Sequence, residues 1–395
     1  MSEPVREPHR AHQKQHAFSE AFDFYLKKAS ELKVSDIHFA PRECGGEVRF
    51  RVSGLLQTYR KINASLDWDD LIKEVKRRAT LAFQKGFAQD SRFSEVATNS
   101  DYRVSLVPVQ LGAREAEQIV VRILPRDSLF SLDKLGLPAD AFESLTKALN
   151  GNQGLIVVTG PTGSGKTVTL MSALMAIDRL KYSVLTLEDP VEYALAGITQ
   201  VQVSEKLTFA NGLRAFLRQD PDYILVGETR DSETASALIQ AANTGHVVLT
   251  TLHTNSALDV FSRLGALGVD ENLVRANATF ICAQRLVPRL CRHCKSPDLE
   301  GAEILQKLFP TDFSANEKNK MTEKNENFHI PMNSLGCERC AQTGVEGREL
   351  LFEFISPQRT ATGTKELVCS SSLLSAAIAL VKKGLINVQE LASLA

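Results

Sequence analysis

Residues Gly160, Pro161, Thr162, Gly163, Ser164, Gly165, Lys166 and Thr167 fill the pattern G-x-x-x-x-G-K-[ST]. An apolar, β-branched run at 155–158 precedes them and a helical pattern at 168–180 follows. That succession demands a strand, a glycine turn and a helix N-terminus. It commits this part of the chain to a strand–loop–helix unit of a parallel sheet. The glycines let backbone N–H groups turn inward around a phosphate, and the helix N-terminus adds a favourable dipole. Lys166 offers a point charge to the β- and γ-phosphates, and Thr167 a hydroxyl to Mg²⁺.

Three more apolar runs, at 184–187, 223–226 and 247–249, are short and flanked by Gly, Asp or Glu. They read as strands buried on both faces of a doubly wound parallel sheet, whose ligands collect beyond the carboxyl ends. Upstream, residues 18–124 carry a mixed pattern. A helix is expected over 19–31, strands over 36–39, 47–52, 103–108 and 118–124, and a helical stretch over 68–83. The chain of 395 residues is long enough for two or three domains at ~150 residues each. We expect a polar tail at 1–17, an N-terminal domain at 18–125, a linker at 126–131 and a nucleotide-binding domain at 132–395. The last carries an insertion at 288–348 and a helical tail from 370.

Composition excludes some classes. With 43% hydrophobic and 24% charged residues the chain is not disordered over most of its length. A formal charge of -1 gives no global attraction to nucleic acid. No apolar run approaches the ~18 residues that span a bilayer. The tail, with His9, His12 and His16, lacks the apolar core of a signal peptide.

Carboxylates follow the strands where phosphates would lie. Glu188, Asp189 and Glu192 come after the run at 184–187, Glu228 after the run at 223–226, and His253 in His-Thr-Asn after the strand from 247. An acid at Glu228 can organise Mg²⁺ and water, although the usual Walker B Asp is absent.

The ordered set GPTGSGKT, LEDPVEY, RQDPDYILVGETRD and TGHVVLTTLHTNSA resembles the secretion ATPase superfamily of type II secretion and type IV pilus machines. Upstream, residues 34–38 resemble the family's "ASDIHIEP", residues 89–93 its "QDGRF" and residues 103–105 its "RVS" strand. The resemblance implies a RecA-like P-loop domain preceded by a smaller PAS-like α+β domain, with the nucleotide between them. It implies that Glu188 orients or activates water, that Thr167 and Glu228 hold Mg²⁺, and that His253 senses the γ-phosphate. Both glutamates could polarise water. Arg103 and Arg122 match family arginines that reach the nucleotide within or across subunits. Three positions depart: Gln118 stands where a basic residue is common, so that Arg114 substitutes or a contact is missing; Val168 replaces a usual Thr; and Ser91 replaces the Gly of a turn.

Cys291, Cys294, Cys337 and Cys340 form C-x2-C…C-x2-C, two tight bites that complete a tetrahedral Zn²⁺ site. Such a site has all its ligands used and is structural. His293 is a poor fifth ligand, and Cys44, Cys282 and Cys369 read as small core residues. Assembly and type II ATPases carry this tetracysteine, flanked by residues resembling 284–287 and 343–348 here, and retraction motors generally lack it. Only some thirty residues precede the first family box, so the family's extra N-terminal domain is expected to be missing.

The resemblance as a whole implies a homohexameric ATP hydrolase, peripheral at the cytoplasmic face of the inner membrane. It would act on a membrane platform protein to drive pilus assembly or type II-like secretion. The alternatives are a nucleotide-gated scaffold without motor output and a retraction or conjugative-transfer ATPase.

Overall fold

The computed structural model describes residues 8–63, 65–125, 131–298, 332–340, 342–359, 365–370 and 372–394, with 300, 301 and 304. The expected linker, except Ser131, and most of the polar stretch between the cysteine pairs lie outside them. The chain divides into two compact units, Met1–Ser128 and Leu129–Ala395.

The first unit is an antiparallel sheet of six strands: β1 (Val34–Pro41), β2 (Gly46–Val52), β3 (Leu55–Ile62), β4 (Gln89–Glu95), β5 (Ser100–Leu111) and β6 (Arg114–Pro125). Their spatial order is β3-β2-β1-β6-β5-β4. Strand alternation gives the sheet one apolar face. Along β5, Tyr102, Val104 and Leu106 are buried while Arg103 and Ser105 turn the other way. Two helices supply the apolar cover, α1 (Pro8–Glu31) and α2 (Ser65–Arg78). Phe22 and Leu26 of α1 and Trp68, Leu71 and Val75 of α2 share one core with Phe39, Phe50 and Tyr102. Each such side chain contributes about 1.5–3 kcal/mol on burial. Within it Lys76 donates to Glu117 at 2.7 Å, both ends almost fully buried.

Several expectations are corrected. The helix expected from 19 begins at Pro8, inside the presumed tail. The second helix stops at Arg78 rather than 83, where Thr80 takes φ +55° and the Leu81 N–H donates back to the Lys76 carbonyl. Ser91 lies inside β4, not in a turn, and its hydroxyl donates to the Ala79 carbonyl.

The second unit holds an eight-stranded sheet. Its parallel strands are β7 (Gly154–Thr159), β8 (Val184–Glu188), β9 (Thr199–Gln202), β10 (Tyr223–Val226), β11 (Val247–Leu252) and β12 (Ala278–Leu290). A short ribbon, β13 (Lys295–Pro297) with β14 (Met332–Ser334), stands apart from the main sheet. The sheet ends in β15 (Val345–Arg359) and β16 (Lys365–Cys369), both antiparallel, so it is mixed rather than purely parallel. The order is β16-β15-β12-β7-β11-β10-β8-β9.

Every residue of β7, β8, β10 and β11 is buried. Leu155 and Val157 enter one hydrophobic cluster and Ile156 and Val158 another, as a sheet covered on both faces requires. Among the described residues the helices of this unit include α3 (Ala139–Leu149), α4 (Lys166–Met175), α5 (Phe209–Phe216), α6 (Ser232–Asn243), α7 (Asp259–Ala266), α8 (Glu271–Asn277) and α9 (Leu373–Lys382). The C-terminal tail is α9 followed by a 3-10 turn, Val388–Ser393. β12 pairs with β7 only as far as Ala283–Thr159 and then runs on beside β15 to Leu290. This ribbon therefore extends past the carboxyl end of β7 and carries the first cysteine pair at its tip.

Candidate nucleotide site and cysteine cluster

The glycine loop leaves β7 at Thr159 and enters α4 at Lys166. Gly160 sits at φ +142°, and a Cβ there would lie 2.4 Å from the Gln284 carbonyl oxygen, so only glycine lets the loop lie against β12. Gln284, buried on β12, grips the loop from that side. Its Nε2 donates to the Ser164 carbonyl at 2.7 Å, and its Oε1 accepts from the Thr169 hydroxyl at 2.9 Å. Lys166 turns its ammonium onto the loop's own carbonyls, Gly160 at 2.7 Å and Pro161 at 3.0 Å. Burial pulls Lys166 down to about 8, with the Glu228 carboxylate opposing and the Arg285 charge adding to the fall. Thr167 is half-buried in the first turn of α4.

Glu188 is the last residue of β8 and is buried. Its Oε1 accepts from the Thr186 hydroxyl at 2.5 Å and from Gln200 Nε2 at 2.9 Å. Burial raises its pKa against those two hydrogen bonds. Glu228 follows β10 by two residues. Gly227 makes the approach possible, since its N–H donates to the Leu187 carbonyl at 2.8 Å and a Cβ there would meet that same oxygen at 3.0 Å. The Glu228 carboxylate pairs with Arg230 at 2.7 Å and lies 4.0 Å from His253 Nε2. Burial and the Lys166 charge lower the His253 pKa. His253 stands one residue past β11, and the next residue ties its loop to β7: the Thr254 N–H donates to the Thr159 hydroxyl at 2.8 Å.

Lys166, Glu228 and His253 thus act on one another electrostatically at the carboxyl ends of β7, β10 and β11. A donor-rich loop, an ammonium and a carboxylate in that setting suit a polyphosphate with a divalent cation. Asp189 and Glu192 follow Glu188 and are not fully buried.

Arg103 and Arg122 belong to the first unit, on β5 and β6, and face each other in register. Cross-strand pairing extends this row to Arg51, Asp36, Arg122, Arg103 and Arg92. Arg122 Nε donates to Asp36 at 2.9 Å. Arg114, weighed as a stand-in for a missing base, pairs instead with Asp69 at 3.1 Å.

The four cysteines meet as expected from their spacing. Each pair forms a tight turn, with the Lys295 N–H donating to the Cys291 carbonyl and the Gln342 N–H to the Cys337 carbonyl. Sulfur separations are 4.0 Å for Cys291–Cys337, 3.8 Å for Cys294–Cys340 and 3.8 Å for Cys337–Cys340. A tetrahedron with Zn–S bonds of ~2.3 Å has edges of about 3.8 Å, so the donor set fits zinc. Burial works against a Cys340 thiolate, but the backbone N–H groups of Cys337 and Gly344, joined by the Cys337 and Cys294 thiols, outweigh it and hold the thiol down to about 6. A Ser334 hydrogen bond favours the Cys294 thiolate, yet burial and the three neighbouring sulfurs push it up to about 11. His293 lies outside the cluster with its Nδ1 2.9 Å from an Arg339 nitrogen. Cys282 is buried, whereas Cys44 and Cys369 are exposed, against the expectation that all three are core residues.

Sequence reading missed Thr186, Gln200 and Gln284 as partners of the site and gave Arg230 and Arg285 no role. One signal was available: Gln284-Arg285 interrupts the otherwise apolar stretch 280–287 of β12, where a polar residue needs a partner.

The family described as Type II/IV secretion system protein matches residues 12–383. The chain belongs to that family. It is similar to the Type II secretion system protein E of Klebsiella pneumoniae, 38% identical over 340 residues that cover 84% of this chain and 64% of that protein. It is similar to the Type IV pilus assembly ATPase PilB of Thermus thermophilus, 38% identical over 336 residues, 84% of this chain and 36% of that one. The crystal structure of the pilus retraction motor PilT with bound ADP superposes with a TM-score of 0.53 at 32% identity, covering 67% of this chain and 78% of PilT. The chain spans less than two thirds of the length of the two curated relatives. Among the described residues no helix is long and apolar enough to cross a membrane.

Proposed function

We propose that this secretion-family protein hydrolyses ATP and converts the cycle into mechanical work for type IV pilus assembly or type II-like secretion. The observation that carries the reading is the convergence of Lys166, Glu228 and His253 on a glycine loop at the carboxyl ends of β7, β10 and β11.

In this reading the backbone N–H groups of residues 160–167 hold the phosphates, and Lys166 leaves its loop carbonyls to bridge the β- and γ-phosphates. The Thr167 hydroxyl and the Glu228 carboxylate would hold Mg²⁺, which when bound neutralises charge on the phosphate oxygens. Glu228 must first release Arg230. Its charge reaches Lys166, which makes it the better placed carboxylate to polarise the attacking water. Glu188, tied to Thr186 and Gln200, then orients that water and Glu228's surroundings. His253 reads the γ-phosphate beside Glu228. Arg103 and Arg122 would supply further charge compensation to a neighbouring subunit; we take the first unit as the PAS-like domain and the second as RecA-like. The need for arginines from a neighbour favours a homohexamer. The partner would be a platform protein at the cytoplasmic face of the inner membrane. The cysteine cluster would hold a structural Zn²⁺, and it favours assembly or secretion. The likeness to PilT favours the second reading, a retraction motor.

The test is Glu228→Gln in the full chain. It is expected to keep ATP binding while turnover falls roughly 10²–10⁴-fold, the range for loss of a positioned acid–base group. Unchanged turnover would remove Glu228 from the chemistry.

A further inference from the structure

Residues 284–287, noted in the sequence only as a flank of the cysteine pair, contain a charge that the proposed mechanism does not use. Ala283 is the last residue of β12 to pair with β7, opposite Thr159, so Arg285 lies just beyond the end of β7, where the glycine loop begins. Its neighbour Gln284 already grips that loop at Ser164 and helix α4 at Thr169. Arg285 points to the other side of the loop's root. Its Nη2 donates to both the backbone carbonyl and the side-chain oxygen of Asn255, each at 3.2 Å. Asn255 is two residues after His253.

The other terminal nitrogen is the informative one. Nη1 of Arg285 is buried and has no hydrogen-bond partner among the described residues. A guanidinium N–H taken out of water without an acceptor is costly, and native proteins seldom keep one without a use. The acid whose charge Arg285 feels, Glu353, does not accept from Nη1 and is engaged elsewhere. Its Oε1 accepts from the Ala257 N–H at 2.6 Å and its Oε2 from the Leu373 N–H at 3.1 Å. Arg285 also lies near enough to Lys166 for its charge to depress the lysine's pKa. Two cations thus act on one another beside one loop, and one of them keeps a donor without a partner. An anion arriving there would relieve the repulsion and satisfy the donor together.

We propose that Arg285 is a phosphate-sensing residue, which offers its free Nη1–H to the terminal phosphate of a bound nucleoside triphosphate and reports occupancy through Asn255 to the His253 segment. The proposal rests on the nucleotide reading above and adds a residue from β12 to it. It assigns Arg285 discrimination between triphosphate and diphosphate. The loop and Lys166 hold phosphates common to both, whereas Arg285 is tied to the side where His253 and Glu228 stand.

The test is calorimetric binding of ATPγS and of ADP, each with Mg²⁺, to the full chain. Wild type, Arg285→Gln, Arg285→Lys and Lys166→Ala are compared, with thermal melting of each in parallel. Arg285→Gln is expected to weaken ATPγS about tenfold or more, as for a lost charged hydrogen bond, and ADP less than twofold. Arg285→Lys keeps the charge but not the fork on Asn255, and should recover part of the discrimination. Equal loss for both nucleotides, or no loss for either, would overturn the proposal and leave Arg285 a structural brace. Should Arg285→Gln fail to fold, the lysine variant decides: an unchanged ATPγS-to-ADP ratio overturns the proposal, and a reduced one supports it. If Lys166→Ala binds both nucleotides as wild type does, the nucleotide reading itself fails, whatever Arg285 shows.

Discussion

The second unit contains two sites built from short motifs, and their donors behave in opposite ways. At the cysteine cluster all four sulfurs lie within 4.8 Å of one another, and two backbone N–H groups already favour a thiolate at Cys340. At the glycine loop the donors are turned aside. Lys166 bonds its own loop, Glu228 is paired with Arg230, and Glu188 is spent on Thr186 and Gln200. The cluster's geometry fits a metal bound without rearrangement. The loop is arranged so that a ligand must displace internal partners, which is what a site that binds and releases needs. A donor set that is complete without rearrangement points to stability, and one that is internally compensated points to turnover.

That contrast can be broken most directly at the cluster. Purified protein is expected to hold about one zinc per chain, measured by elemental analysis. Structural zinc contributes about 10–16 kcal/mol in zinc-finger peptides, so chelation or Cys291→Ser should unfold the element around β13 and β14 and lower the melting temperature. Lys166→Ala, by contrast, should leave the nucleotide-free melting curve nearly unchanged. Zinc-free protein that melts like the zinc-loaded form would remove the structural role.

The smaller effect sharpens the other side. Lys166 is held down to about 8 in the free protein. Its ammonium is therefore about nine-tenths present at pH 7, one unit below that value, and is lost as pH rises through about 8. Nucleotide affinity should follow the same sign, nearly full at pH 7 and about tenfold weaker at pH 9, one unit above that value. Lys166→Arg keeps its charge across this range and should flatten the profile. Equal slopes for the two proteins in a pH series of binding measurements would mean that another group titrates.

The same contrast explains what could be read in advance. The glycine loop, the four cysteines and strands β7, β8, β10 and β11 were legible, because each depends on local spacing or on a short run buried on both faces. Strand β4 was not, since Gln89-Asp-Ser-Arg-Phe-Ser-Glu has a single apolar residue and shows no apolar alternation. The antiparallel β15 and β16 turn a parallel sheet into a mixed one, and only tertiary pairing with β12 reveals it. The partners of the loop were hidden for a similar reason. Gln284 and Ser164 are 120 residues apart, and Thr169 and Gln284 are 115 apart, so no local pattern links them. The N-terminal extension of α1 reads as a tail because residues 8–16 are polar and carry three histidines, which masks a helix with no apolar stripe of its own.

The most direct test of the central claim is ATP turnover per chain across protein concentration, with mass followed by light scattering, for wild type and Lys166→Ala. The account predicts turnover that rises as rings form and is absent in the variant at every concentration. Turnover that persists in Lys166→Ala, or that stays constant per chain while the protein remains monomeric, would contradict it.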